Sequence, residues 1–103
     1  MRVIAVSTLV AFWSQAAHKD AEAPLKAWLQ EALAAKWKQP SDIKHQFGTA
    51  SILKNRRVVF NIKGNDYRPV VSLAYRFEAI YIKFIGTHQQ YDAIDANSVE
   101  PFK

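Results

Sequence analysis

The 103 residues contain no cysteine. Disulfides, thiolate nucleophiles and cysteine-ligated zinc are therefore excluded. Glycine is scarce too: Gly48, Gly64 and Gly86 are the only three, and they are spaced too widely to form a phosphate-binding loop. No apolar run reaches the ~20 residues that a membrane-spanning helix needs, so no membrane association is expected. No Gly/Ser-rich linker and no internal repeat divides the chain. The histidines His18, His45 and His88 stand far apart and show no ligand spacing with nearby acids, so neither a metal site nor a cofactor is expected. Acidic residues are outnumbered, nine against fourteen Lys and Arg, which leaves a net charge of +5. Such a surplus suits a polyanionic partner such as nucleic acid, or an acidic protein. Many small basic domains bind neither, so charge alone does not decide.

Half of the residues are hydrophobic, which marks a globular chain, and its length allows one core. Residues 1–103 are read as a single domain, and the lack of cysteine fits the cytoplasm. The opening stretch, Met1-Arg2 followed by an apolar run to Ala17, has the outline of a short signal peptide. Ser7 and Thr8 interrupt that run, and one basic residue precedes it. The preferred reading is a strand from Arg2 to Ala5 and then a helix capped by Ser7 or Thr8.

Helical spacing dominates the first half. Leu9, Phe12, Trp13, Ala16 and Ala17 define one helix, and His18-Lys19-Asp20 breaks it. Leu25, Trp28, Leu29, Ala32, Leu33 and Trp37 form the stripe of a second. Glu22 and Pro24 suit its first turn, and Lys36 and Lys38 its last. Pro40 to Gly48 reads as a short helical or irregular connection.

Strand-like segments follow at Arg57 to Ile62, Tyr67 to Tyr75 and Ala79 to Ile85. Gly64-Asn65 is a good hairpin tip, and Arg76 to Ala79 is equally tight, so the three are expected to be antiparallel neighbours. Alternation places Val58, Phe60, Ile62, Val71, Leu73, Tyr75, Ile80, Ile82 and Phe84 on one face, which must pack against the helices. Arg57, Asn61, Lys63, Arg68, Ser72 and Lys83 fall on the other. The expected class is α+β, two N-terminal helices on a small antiparallel sheet with a short C-terminal helix. The turns set a register with Asn61 across from Arg68, Ser72 facing Lys83, and Arg68 facing Thr87 beside His88.

That register collects groups suited to RNA cleavage without a metal. The reaction needs a base for the ribose 2′-hydroxyl, cations for the phosphate and an acid for the leaving 5′-oxygen. His88 and Tyr91 suit proton transfer, which contributes roughly 10²–10⁴-fold. Arg68 and Lys83 suit an electrostatic clamp, with Arg68 capable of bidentate contact. Asn61 suits orienting a ribose, a base edge or Arg68 itself. Lys54, Arg56, Arg57 and Lys63, with Asn65 at the turn, suit contacts to the RNA backbone. Each has a plainer alternative: a solvated strand face, a half-buried Tyr91, or a capping role for His88, although Thr87 is the better cap.

The stretch VVFNIKGNDYRPVVSLAYRFEAIYIKFIGTHQQYD resembles the HigB toxin family, a branch related to the RelE and ParE toxins. The shared features are Phe60-Asn61, the Gly64-Asn65 turn, Arg68, and Thr87-His88-Gln89-Gln90-Tyr91-Asp92. The resemblance implies a RelE-like α+β domain that acts as an mRNA interferase. It would cut message on the ribosome and be held inactive by a HigA-type helix-turn-helix antitoxin. It carries Asn61, Arg68, His88 and Tyr91 into the site, while Lys83 stands where some members have arginine. ParE-like relatives act on gyrase, so the scaffold alone leaves open a gyrase-directed toxin as well as a non-catalytic RNA- or protein-binding module.

Overall fold

The computed structural model describes residues 1–101. A strand β1 (Arg2–Ile4) leads into helix α1 (Val6–Trp13), a short 3-10 segment (Ala16–Ala21) and helix α2 (Glu22–Ala34). Helix α3 (Pro40–Gln46) connects to β2 (Ser51–Ile52), β3 (Arg57–Val59), β4 (Tyr67–Ala74) and β5 (Ala79–Thr87). A short helix α4 (His88–Asp92) follows directly. The class is α+β as expected, but the sheet is mixed. Its five strands run in the order β1-β5-β4-β3-β2, and β1 lies parallel to β5 while the other neighbours are antiparallel. A parallel edge formed by the chain's first strand leaves no local signal in the sequence.

The helices form for the reasons their spacing gives, and two of them end early. Helix α1 buries Leu9, Phe12 and Trp13. Its N-cap is Ala5, with no side-chain bond from Ser7 or Thr8. Ala16 and Ala17 belong to the 3-10 segment, where His18 stacks on Phe12 with ring centroids 4.1 Å apart. Helix α2 buries Leu25, Trp28 and Ala32 and carries a Glu22–Lys26 ion pair at i,i+4. It stops at Ala34, before Lys36, Trp37 and Lys38. The Met1 ammonium donates to the carbonyls of Ala32, Leu33 and Ala35 at 3.2, 2.7 and 2.9 Å. It thereby satisfies the groups a helix end leaves open. Trp37 is then free to reach the core, where it packs on Phe60 and Phe47 and donates its indole N–H to Gln46.

One core cluster unites Leu9, Phe12, Trp13, Leu25 and Trp28 with Val58, Phe60, Ile62, Val71, Leu73, Ile80 and Ile82. Tyr75 packs at its margin. Phe84 does not join it. The β4–β5 ladder pairs Val70 with Phe84 but Val71 with Ile82, so Lys83 is an extra residue in a β-bulge. The bulge turns Phe84 to the opposite face, where a second, smaller cluster contains Val59, Val70 and Ala96 with Phe84, Tyr91, Ile94 and Val99 against it. Expected to be polar and open, this second face is half covered by the chain that follows α4.

The register differs from the expected one because the β4–β5 turn closes two positions early, with Ala74 across from Ala79, and the bulge restores only one of the two. Arg68 lies across from Gly86 and Ser72 across from Tyr81; Thr87 pairs with Tyr67. On the other side Val58↔Val71, Val59↔Val70 and the bridge Ile62↔Tyr67 keep the expected frame, which does set Asn61 across from Arg68. Left-handed backbone at the first hairpin falls on Lys63 (φ 54°) and Gly64 (φ 67°), one position earlier than Gly64-Asn65. A second tight hairpin, unseen in the sequence, joins β2 to β3 through Asn55 and Arg56, both with φ 58°. Two left-handed central residues closed by the Arg57 N–H to the Lys54 carbonyl make a type I′ turn.

Candidate functional site

The site forms where β5 runs into α4. Thr87 caps α4 by accepting from the Gln90 N–H at 3.2 Å, and the Gln90 side chain accepts from the Thr87 N–H at 2.8 Å, a reciprocal capping box. Gly86 lets α4 come this close. A Cβ there would stand 2.5 Å from the Phe84 ring and 2.9 Å from Gln90 Oε1. The second apolar cluster then holds Tyr91 against the sheet beside Arg68.

Arg68 and Tyr91 stack, with the guanidinium carbon 4.7 Å from the ring centroid. Arg68 Nε is buried without a hydrogen-bond partner. Among the described residues no carboxylate pairs with this guanidinium. A partly buried, unneutralised guanidinium held flat by a ring is a ready receptor for an anion, because its fork needs no reorganisation.

His88 is exposed, and its Nδ1 lies 3.1 Å from Asp92 Oδ2, one helical turn on. The carboxylate orients the imidazole through Nδ1 and leaves Nε2 as the nitrogen able to take or give a proton. Sequence reading left Asp92 without a role, although its i,i+4 spacing from His88 was a usable signal. The His88 backbone N–H donates to the Asp66 carbonyl at 3.1 Å, tying α4 to the hairpin of Lys63 and Asn65.

That hairpin holds a polar cluster no local pattern announces. Tyr67 donates its hydroxyl to Asp20, and Lys63 stands 3.2 Å from both Asp20 and Asp66. The Tyr67 hydroxyl, and then Lys63, hold the Asp20 carboxyl below its usual range. The same Asp20 contact raises Lys63, with Asp66 adding to it. Asn61 donates its side-chain amide to the Thr49 carbonyl at 3.0 Å, anchoring the start of β2 while it lies across from Arg68. Asn65 is exposed in the turn.

The other candidate residues are elsewhere. Arg57, expected to touch RNA, is buried at 7% exposure. Its guanidinium donates to the carbonyls of Ala96 and Val99 and to Glu100, at 3.1, 2.7 and 2.7 Å. It is a tether for the C-terminal segment and has no free face. Lys83, expected in the clamp, donates to the other oxygen of Glu100 at 2.8 Å. Glu100 therefore neutralises it, and with Lys83 as the first cause and Arg57 behind it, Glu100 is held below the usual carboxylate range. Lys54 and Arg56 are exposed at the β2–β3 hairpin. They flank the end of the sheet where Arg57 pairs with Ser72, away from Arg68. Among the described residues no three His, Asp or Glu side chains group to hold a metal ion, and no helix is long and apolar enough to cross a membrane.

Fold and site together define a class: a small basic α+β domain that holds a guanidinium without a carboxylate partner, stacked on a tyrosine beside a histidine–aspartate pair. The model of the HigB toxin family, the RelE-like toxic component of a toxin–antitoxin system, matches residues 21–94, and the chain belongs to this family. It is 31% identical over 62 residues to the mRNA interferase toxin HigB of Escherichia coli strain K12. The same identity relates it to the mRNA interferases HigB of E. coli O157:H7 and of Shigella flexneri. The match takes in 58% of this chain, which spans 60% of the length of these curated relatives.

Proposed function

We propose that this chain is the toxin of a type II toxin–antitoxin pair, an endoribonuclease that cuts message on the ribosome. The observation that carries the reading is the Arg68 guanidinium, unpaired and stacked on Tyr91 next to the His88–Asp92 pair. The family relationship supports it, since the curated relatives are named mRNA interferases. In this reading residues 1–103 form one RelE-like domain with α1 and α2 as its helical layer over the sheet. It works in the cytoplasm, restrained by a HigA-type helix-turn-helix antitoxin.

The chemistry follows from the geometry. Arg68 clamps the scissile phosphate and neutralises the charge that builds on it. His88 and Tyr91 move the two protons, one from the ribose 2′-hydroxyl and one to the leaving 5′-oxygen. The 2′-oxygen bonds to phosphorus as the 5′-oxygen bond breaks, which yields a 2′,3′-cyclic phosphate and a 5′-hydroxyl. No metal is needed when an arginine and two proton-transfer groups fill these roles. Asn61, across from Arg68, contacts the ribose or a base edge, and Lys63 and Asn65 meet the backbone beside the cut. Lys83 enters the clamp only where phosphate displaces Glu100.

Single-turnover cleavage on programmed ribosomes tests this reading. His88→Gln and Tyr91→Phe should each slow cleavage by roughly 10²-fold or more with little change in ribosome affinity, since the lysines and arginines that dominate electrostatic binding stay in place. Wild-type cleavage rates in both variants, or product ends carrying a 5′-phosphate, would sink the mechanism.

A further inference from the structure

The cations that the site does not use gather at the far end of the sheet. Lys36 and Lys38 follow α2, Arg56 tips the β2–β3 hairpin, and Arg76 sits in the β4–β5 turn. A cleft of about 660 Å³ is lined by Lys36, Trp37, Lys38, Tyr75, Arg76 and Glu78. A neighbouring cleft of about 460 Å³ has Arg56, Phe77 and Tyr81 in its walls and shares Tyr75 and Arg76 with the first. The two adjoin at Tyr75 and Arg76, and together they make a cationic groove region between the end of α2 and the β2–β3 hairpin. We propose that this groove holds the phosphodiester backbone of RNA outside the cleaved segment, as a docking site separate from the cleavage site.

Charge is the first support. Among the described residues, none of Lys36, Lys38, Arg56 and Arg76 pairs with a carboxylate. The acids at hand are Glu78 in the wall and Asp42, which accepts from the Lys38 backbone N–H at 2.9 Å. Four free cations face two acids here. At the cleavage end Arg68 and Lys63 stand among Asp20, Asp66 and Asp92. Unpaired positive charge is therefore denser around these clefts than around the cleavage end. Burial raises the Tyr75 hydroxyl pKa, so this ring adds no negative charge to the groove floor.

Shape and spacing are the second. Tyr75 is seven residues from Arg68 along the chain through β4, or roughly 23 Å at strand rise. One phosphate cannot touch both ends, but a continuous RNA backbone or a folded RNA can. Phe77, 68% exposed, and Tyr81 border the cations, the mixture of ring and charge that holds nucleic acid without reading its sequence. An acidic peptide is the competing occupant, and binding of the purified antitoxin separates the two.

This inference rests on the RNA reading above, so its test is binding and not cleavage. Two double variants, Lys36→Gln/Arg76→Gln and Lys38→Gln/Arg56→Gln, remove exposed charges without touching the core. Isotherms for programmed ribosomes across a salt series should show affinity lowered about tenfold or more, and a log–log salt slope shallower by about one to two. Single-turnover cleavage at saturating protein should stay within about twofold of wild type, because no phosphate-clamping group is lost. Unchanged affinity and slope in both doubles would overturn the proposal. So would unchanged RNA binding with weakened binding of the purified antitoxin, which would assign the groove to an acidic protein. A wild type that binds ribosomes with the expected slope yet cuts nothing would refute the cleavage reading and leave the groove standing.

Discussion

The two ends of the sheet use positive charge in opposite ways. At the β5–α4 end almost every charged group is engaged: Lys63 with Asp20 and Asp66, His88 with Asp92, and Arg68 stacked on Tyr91. At the β4–β5 turn end Lys36, Lys38, Arg56 and Arg76 line the groove and, among the described residues, pair with no carboxylate. Between them Arg57 and Lys83 share Glu100 and fasten the C-terminal segment to the second face. Chemistry needs a group fixed to within a fraction of an ångström, so its neighbours must hold it. Binding a polyanion needs only charge at a rough distance, and flexible, unpaired side chains suffice.

This division can be broken by experiment, and the sharpest test is at Arg68. Arg68→Ala should lower the single-turnover cleavage rate by roughly 10²–10³-fold while Arg56→Ala leaves it within about twofold. Equal losses at the two ends would erase the distinction. The middle group should behave as structure. Arg57→Ala orphans two carbonyls and leaves Glu100 paired with Lys83 alone, and should cost about 2–3 kcal/mol in a denaturant titration. Lys54→Ala, exposed at the hairpin, should stay within about 0.5 kcal/mol.

A smaller effect is expected at Gly86. The added Cβ of Gly86→Ala meets Phe84 and Gln90, so it should loosen the α4 cap and cost about 1–2 kcal/mol. Cleavage should fall with it, whereas ribosome affinity, set at the other end, should hold. The smallest effect concerns acid. The folded-state pKa of Glu100 is depressed, chiefly by Lys83. Its contribution is therefore complete above the unfolded value, about 4.3, and is lost as pH falls through the lower folded value. Glu100→Gln should abolish that part of the acid-induced loss in stability, leaving a shallower decline of denaturation midpoint with falling pH. An unaltered pH profile would show that the Arg57–Glu100–Lys83 contact contributes little in solution.

Local periodicity carried much of the fold. The stripe of α2, strands β4 and β5 and the Thr87 cap were legible because helices and strands repeat every few residues and caps act over one turn, whereas the strand expected from Arg57 to Ile62 ends at Val59. The core face was legible for the same reason, apart from Phe84. Within the site, the proximity of Asn61 to Arg68 followed from a hairpin frame that holds throughout. What failed was whatever one or two residues displace: the β4–β5 turn closed early and set Arg68 across from Gly86 in place of Thr87, and the bulge at Lys83 sent Phe84 to the other face. Arg57 looked like a surface cation because alternation assigns a face but cannot say what later covers it.

By itself the sequence determined the α+β class, the residues available for chemistry and the family pattern that joins them, since these depend on residue identity and short-range spacing. Tertiary structure alone decided the parallel β1 edge, the Tyr67–Asp20–Lys63 cluster and the Glu100 tether. Each of these joins segments tens of residues apart, and such contacts form only when the whole core closes over them.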